Sequence, residues 1–206
     1  MKKNKISKNW LKERNRDYYF GQNKIKCYRS RSAFKLIEIN KKFDFINSST
    51  NLLDLGSAPG GWSQVASKKI SVGKILAVDI KPMDKINNVS FIQGDINDPE
   101  VHKKITNFFD SKINVVISDI AANTTGNKNL DSYRTGELCL KTMEVAQKIL
   151  CGNGVFLSKI FMGSIFSEIH EKAKKSFKKV VKYKPLSSKK ESKEIYILCR
   201  EVLRIW

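Results

Sequence analysis

Several common protein classes need features that this sequence lacks. No apolar run is long enough to span a bilayer. The opening residues are Lys/Asn-rich and carry no apolar core of the kind a secretion signal needs. The four cysteines, Cys27, Cys139, Cys151 and Cys199, form no Cys-x-x-Cys pair, and there are only two histidines, His102 and His170. That set is too sparse for a zinc site and suits reduced thiols. No segment repeats. The expectation is a soluble, cytoplasmic protein with no membrane partner and no metal. Its 206 residues suffice for one domain with a real core.

Acidic residues are scarce at both ends. Residues 1–50 hold 14 Lys/Arg against 4 Asp/Glu, residues 170–206 hold 12 against 4, and the stretch between them holds 13 against 12. A general drift towards lysine would raise it everywhere, yet the centre stays balanced. Such a pattern fits termini that meet a polyanion, and nucleic acid is the partner expected. Phosphate contacts of this kind carry no base information. Residues 1–29 interleave basic residues with Trp10, Tyr18, Tyr19, Phe20 and Tyr28. They read as an arm whose rings either stack on bases or pin the arm to the domain. Residues 30–206 read as a single domain.

Within that domain the pattern alternates. Leu36, Ile39 and Phe43 at helical spacing predict a helix over 31–43, with Ser30 or Ser32 as its cap. Strands are expected at 51–55, 74–79, 89–92, 113–119, 154–160, 180–183 and 194–200. Helices are expected at 61–70, 99–109, 132–150 and 164–176. This order predicts an α/β fold with a seven-stranded, mostly parallel sheet. No helix separates the last two strands, so an antiparallel pair should close it. The polar, Gly/Asn-containing stretch from Thr124 to Asp131 reads as a mobile loop.

The most informative stretch is Asn51-Leu-Leu-Asp-Leu-Gly-Ser-Ala-Pro-Gly-Gly-Trp62. It reads as a buried strand, a tight turn and a helix start, with Gly56, Gly60 and Gly61 letting backbone approach a ligand. A dinucleotide site wants Gly-x-Gly-x-x-Gly. Here the spacing is Gly56-x-x-x-Gly60-Gly61, with Asp54 expected at the mouth. An acid there repels phosphate and suits a cation, so S-adenosylmethionine, with its sulfonium and ammonium, fits better than a nicotinamide dinucleotide. Asp79 and Asp95 follow the next two expected strands, positioned for ribose hydroxyls and an adenine amino group. Any one such acid is as readily a cap or turn residue. All three fall at successive strand ends, which line one crevice.

Asp54-Leu-Gly-Ser-Ala-Pro-Gly-Gly-Trp-Ser-Gln64, with Arg29-Ser-Arg-Ser-Ala-Phe-Lys35 before it and Val116-Ile-Ser-Asp119 after it, resembles the FtsJ/RrmJ (RlmE) ribosomal RNA 2′-O-methyltransferases. The likeness runs from about Trp10 to Leu198. It implies a class I, Rossmann-like methyltransferase fold, S-adenosylmethionine as donor, and as substrate a uridine ribose in the peptidyl-transferase region of the large ribosomal subunit. It also implies a Lys-Asp-Lys-Glu tetrad, which falls on Lys35, Asp119, Lys159 and Glu194, and donor contacts at Gly60, Trp62, Asp79, Asp95 and Asp119. The family's usual proline is replaced by Ala122 in Ser118-Asp-Ile-Ala-Ala-Asn123, and Met162 stands where glutamine is frequent.

A ribose hydroxyl is too weak an acid to ionise near neutral pH, so the protein must align the reacting atoms and take a proton. Lys159, a charge at the end of the apolar strand Val-Phe-Leu-Ser-Lys, is the expected acceptor. A neighbouring Lys35 and exclusion of water favour its neutral form, while Asp119 and Glu194 oppose it. Three other readings remain. One is a related enzyme acting on tRNA or an mRNA cap. Another is a non-catalytic RNA-binding assembly factor, in which the tetrad or donor pocket should have decayed. The third, a nicotinamide-linked dehydrogenase, conflicts with the glycine spacing. The chain is expected to act as a monomer.

Overall fold

The computed structural model describes residues 28–123 and 125–203. Trp10, Tyr18, Tyr19, Phe20, Cys27 and Thr124 lie outside the described residues.

Seven strands form one sheet. They are β1 (Leu52–Leu55), β2 (Ile75–Asp79), β3 (Ser90–Gln93), β4 (Ile113–Ser118), β5 (Leu150–Phe161), β6 (Phe177–Tyr183) and β7 (Glu194–Val202), in the order β3-β2-β1-β4-β5-β7-β6. The first five run parallel, and β7 runs antiparallel to both β5 and β6. The described helices are α1 (Ala33–Phe43), α2 (Gly61–Lys69), α3 (Pro99–Phe109), α4 (Lys128–Ile149) and α5 (Phe166–Ser176). None of them is long and apolar enough to cross a membrane.

A parallel sheet must be covered on both faces, and strand periodicity decides which side chain goes where. Leu53, Leu55, Leu76, Val78 and Phe156 pack under α3, α4 and α5 through Val101, Ile105, Met143, Ile169 and Ala173. Leu52, Ile75, Val115, Ile117, Leu157, Tyr196 and Leu198 face the other way, towards α1 and α2, where Leu36, Ile39, Trp62 and Val65 meet them. Complete burial of a side chain such as Leu36 or Ile39 contributes about 1.5–3 kcal/mol.

Helix ends follow local chemistry. Asp98 caps α3 by accepting from the Glu100 amide, with Pro99 in the first turn. Asn127 caps α4 by accepting from the Asn129 and Leu130 amides. That cap starts α4 at Lys128, four residues before the position expected from the apolar pattern. Residues 128–131 are therefore helical, and Asp131 accepts from both the amide and the hydroxyl of Thr125 at 2.8 Å. The expected loop is correspondingly shorter. Ser32 occupies the N-cap position of α1 without a side-chain cap bond, because its hydroxyl pairs with that of Ser30 at 2.7 Å.

Two strands begin earlier than their sequence pattern suggests, and β7 runs two residues further, to Val202. β5 begins at Leu150, paired with Ile113 across a register shift that absorbs the turn-like Cys151-Gly-Asn-Gly run. β6 begins at Phe177, which is buried in the core, and the two residues after it, Lys178 and Lys179, are exposed at the sheet edge. Tyr28 pins the start of the described chain. Its ring meets Phe34 edge-on at 5.8 Å, and the Lys68 ammonium lies 4.2 Å from its centroid.

Candidate active site

The strand pattern that builds the core also builds the site. On β5, Val155, Leu157 and Lys159 share a face, and on β7 so do Leu198, Tyr196 and Glu194. Both series end in polar groups at the same edge of the sheet, under α1. That helix supplies Lys35, one turn before the fully buried Ile39. Lys159 and Tyr196 are direct partners in the β5–β7 ladder. Ser118 pairs with Ser158 across β4 and β5, so Asp119 and Lys159 stand side by side one residue further on.

The four expected tetrad residues meet as two ion pairs. Lys35 Nζ lies 2.7 Å from Glu194 Oε1 and 2.8 Å from Oε2. Lys159 Nζ lies 3.1 Å from Asp119 Oδ1 and also donates to the Asp119 carbonyl. Tyr196 joins the pairs. Its hydroxyl donates to Asp119 Oδ1 at 2.9 Å, and the Lys35 ammonium sits 5.9 Å from its ring centroid. Ser188 donates to Glu194 Oε1 at 2.9 Å. Burial pushes the Glu194 carboxyl up, but Lys35, Ser188 and Lys159 outweigh it and hold the carboxyl below 4.5. Burial, reinforced by Asp119 and Glu194, raises the Tyr196 hydroxyl well above its ordinary value. Tyr196 thus remains a donor.

A cleft of about 340 Å³ opens beside this cluster, over the ends of β1, β2 and β4. Gly56, Asp79, Asp95 and Asp119 line it, with apolar walls from Ile80, Ile96, Ile120 and Leu138. Asp79 is fixed by backbone donors. The Ala58 amide gives to Oδ2 and the Lys81 amide to Oδ1, both at 2.8 Å. Asp95 accepts from the amide and side chain of Asn97. Among the described residues that line the space are three carboxylates and the Lys81 ammonium, with Lys159 pairing Asp119 from outside it, a charge balance that disfavours a phosphate and accommodates a cation.

The glycine turn shapes the floor. Gly56 has φ +72°, and a Cβ there would come within 2.0 Å of the Ile120 side chain. Its amide and that of Ser57 both donate to the Val78 carbonyl. Gly60 ends the turn at φ +106°, packed against Met83, Ile86 and Arg29 rather than lining the cleft. The Arg29 guanidinium ties that turn to the next loop through the Pro59, Asp84 and Lys85 carbonyls.

Two other expected donor-site residues also lie off the cleft wall. Trp62 points towards α1, where its indole donates to the Ser32 carbonyl at 2.9 Å and its ring tilts against Tyr196. Asp54 is not at the mouth. Its side chain faces α2 beneath the turn, 1% exposed, where Ser63 donates to Oδ2 at 2.6 Å and Oδ1 has no hydrogen-bond partner among the described residues. Burial, with the nearby Asp119 and Asp79 charges adding to it against the Ser63 hydrogen bond, raises its pKa to about 7. Sequence reasoning missed Tyr196, Ser188 and Ser63. Tyr196 had a signal, since strand alternation places it on the face of Glu194.

A mostly parallel sheet with a reversed strand inserted next to its edge, and an acid-lined cleft above the first glycine turn, is the architecture of a Rossmann-like methyltransferase. Residues 28–202 match the model of the FtsJ-like methyltransferases. Ribosomal RNA large subunit methyltransferase E of Pelagibacter ubique is 47% identical over 200 residues, covering 97% of this chain and 98% of that protein. The protein of the same name from Rickettsia akari is 41% identical, over 93% of this chain and 87% of its own length. A solved Plasmodium falciparum structure, named as a ribosomal RNA methyltransferase, is 34% identical with a TM-score of 0.75, covering 85% of this chain and 99% of that one. The chain belongs to the FtsJ-like methyltransferase family.

Proposed function

We propose that this protein methylates a ribose 2′-hydroxyl in large-subunit ribosomal RNA, with S-adenosylmethionine as donor. The observation that carries the reading is the double placement of Asp119. It lines the acid-rich cleft and it also holds Lys159, so donor and proton acceptor would share one carboxylate as their boundary. The relatives at 47% and 41% identity are both named for large-subunit ribosomal RNA, and support the choice of substrate.

The cleft fits the donor by its chemistry. Asp79 keeps lone pairs on two fixed oxygens for a pair of ribose hydroxyls, Ile96 and Leu138 offer apolar walls for a purine, and the excess of carboxylates suits a cationic, phosphate-free ligand. Bound there, S-adenosylmethionine supplies an electrophilic methyl group on a positively charged sulfur.

The chain's own residues then have separable tasks. Lys159 serves as the acceptor of the 2′-hydroxyl proton, through the lone pair of its amine. Asp119 stabilises the ammonium that forms. Proton removal of this kind adds roughly 10²–10⁴-fold to a rate. Lys35, held by Glu194, presents positive charge towards the developing alkoxide. Tyr196 keeps the Asp119 carboxylate from rotating away. The basic arm of residues 1–29 and the lysines of the carboxyl-terminal quarter supply phosphate contacts. We take the protein to act in the cytoplasm as a monomer.

The test is methyl incorporation from labelled S-adenosylmethionine into unmodified large ribosomal subunits, naked ribosomal RNA and tRNA. Strong labelling of the ribosomal substrates is expected. Labelling of tRNA alone would transfer the reading to a tRNA enzyme, and no labelling of any RNA would remove it.

A further inference from the structure

One loop outside the tetrad is held unusually firmly. Residues 184–193 join β6 to β7, and Leu186 within them is 86% exposed, yet the adjoining Ser187 and Ser188 are buried. The anchor is Glu38, one turn beyond Lys35 on α1. Its Oε1 accepts from the Tyr183 hydroxyl at 2.8 Å and the Leu186 amide at 2.7 Å. Its Oε2 accepts from the amide and the hydroxyl of Ser187, both at 3.1 Å. Four donors on one carboxylate fix the backbone immediately before Ser188. Ser188 in turn places its hydroxyl on Glu194, the acid that holds Lys35.

These contacts close a ring: Lys35 to Glu194, Glu194 to Ser188, Ser188 through the peptide to Ser187, Ser187 to Glu38, and Glu38 back along one helical turn to Lys35. We propose that Glu38 and Ser188 are positioning residues for methyl transfer, acting through Glu194 to set where the Lys35 ammonium stands. The inference rests on the function proposed above, in which Lys35 serves the reaction. Its physical basis is the cost of freedom. A lysine has several rotatable bonds, and a single carboxylate contact leaves that carboxylate free to turn. Ser188 removes the freedom of Glu194, and Glu38 removes that of Ser188. Burial pushes the Glu38 carboxyl up, but the hydrogen bonds from Leu186, Ser187 and Tyr183 win and lower it. Its charged, four-fold accepting form is therefore the resting one near neutral pH.

The experiment compares Ser188→Ala, Glu38→Gln and the double variant with wild type. The readouts are kcat, the RNA KM, the donor Kd, the melting temperature and the rate at which Lys35 is acetylated by acetic anhydride, followed by mass spectrometry. Ser188→Ala should lower kcat by about 10- to 100-fold, the scale of a buried hydrogen bond to a charged group. KM and Kd should stay within about twofold, and Lys35 should be acetylated faster. Glu38→Gln should act in the same direction and speed tryptic cleavage after Lys189. The double variant should lose less than the product of the single losses, because both residues act along one path. A purely structural role would lower the melting temperature without separating kcat from KM. Ser188→Ala with wild-type kcat and wild-type acetylation of Lys35 would overturn the inference. If wild-type protein methylates no RNA, the proposed function fails, and the acetylation and cleavage rates still decide whether Glu38 and Ser188 position Lys35.

Discussion

Lys159 Nζ and Asp119 Oδ1 stand 3.1 Å apart because β4 and β5 pair in parallel register up to Ser118 and Ser158, and the same oxygen accepts the Tyr196 hydroxyl at 2.9 Å. This geometry gives Lys159 a fixed place at the cleft boundary. Replacing it with alanine should lower kcat by roughly 10²–10⁴-fold, the range of a lost general base. Donor affinity, measured by calorimetry, should stay near wild type. Lys159→Arg keeps the charge but cannot accept a proton, so it should not rescue turnover. Recovery of most of the rate by arginine would make Lys159 a purely electrostatic group.

Asp54 predicts a pH signature in stability. Its carboxyl titrates near 3.8 in an unfolded chain and at about 7 when folded. Between those values the folded protein holds a proton that the unfolded chain has lost. The stability this group contributes is therefore complete below about pH 4 and is lost as pH rises towards 7. Asp54→Asn cannot lose that proton. Its melting temperature relative to wild type should climb from pH 4 to pH 8, by an amount corresponding to a few kcal/mol at most. A constant difference across that range would show that Asp54 titrates normally.

Gly56→Ala would place a Cβ at positive φ and 2.0 Å from Ile120 Cγ1. A loss of about 1–3 kcal/mol is expected from the backbone strain alone, measured by denaturant unfolding. Ile120 also forms a cleft wall beside Asp119, so donor affinity should weaken together with stability.

Asp79→Ala separates binding from chemistry. The substitution strips two backbone amides, those of Ala58 and Lys81, of their acceptor and removes the carboxylate from the cleft. Donor Kd should rise by about tenfold or more, while kcat at saturating donor changes much less. An unchanged Kd would place the donor elsewhere.

Most of the framework was legible because two periodicities carry it. Leu36, Ile39 and Phe43 announced a helix, and the apolar strand runs ending in Asp79, Asp119 and Lys159 announced strands and their functional ends together. Strand boundaries at Leu150 and Phe177 were hidden. Their glycines, asparagine and lysines read as turn or surface, and neighbouring-strand hydrogen bonds overrode that preference. The tetrad came from ordered motifs in a family resemblance, and the residues do converge. What composition and motif do not encode is direction. Asp54 lies in the strand, yet strand alternation turns it to the α2 face rather than up to the mouth, and Trp62 on α2 follows the helix face towards β7. Glu38 and Ser188 carry no motif. Their relation to Glu194 exists only once a helix, a loop and a strand from distant parts of the chain have met.

The most direct test of the central claim is the alkali stability of the labelled product. Large-subunit RNA carrying a tritiated methyl group from this enzyme should be digested in base and its fragments separated by length. A methyl on the ribose 2′-oxygen removes the nucleophile that cleaves the chain, so label is predicted in alkali-resistant dinucleotides, appearing there at least about a hundredfold more slowly when Lys159→Ala protein is used. Label released in mononucleotides would mean methylation of a base, and would contradict the account.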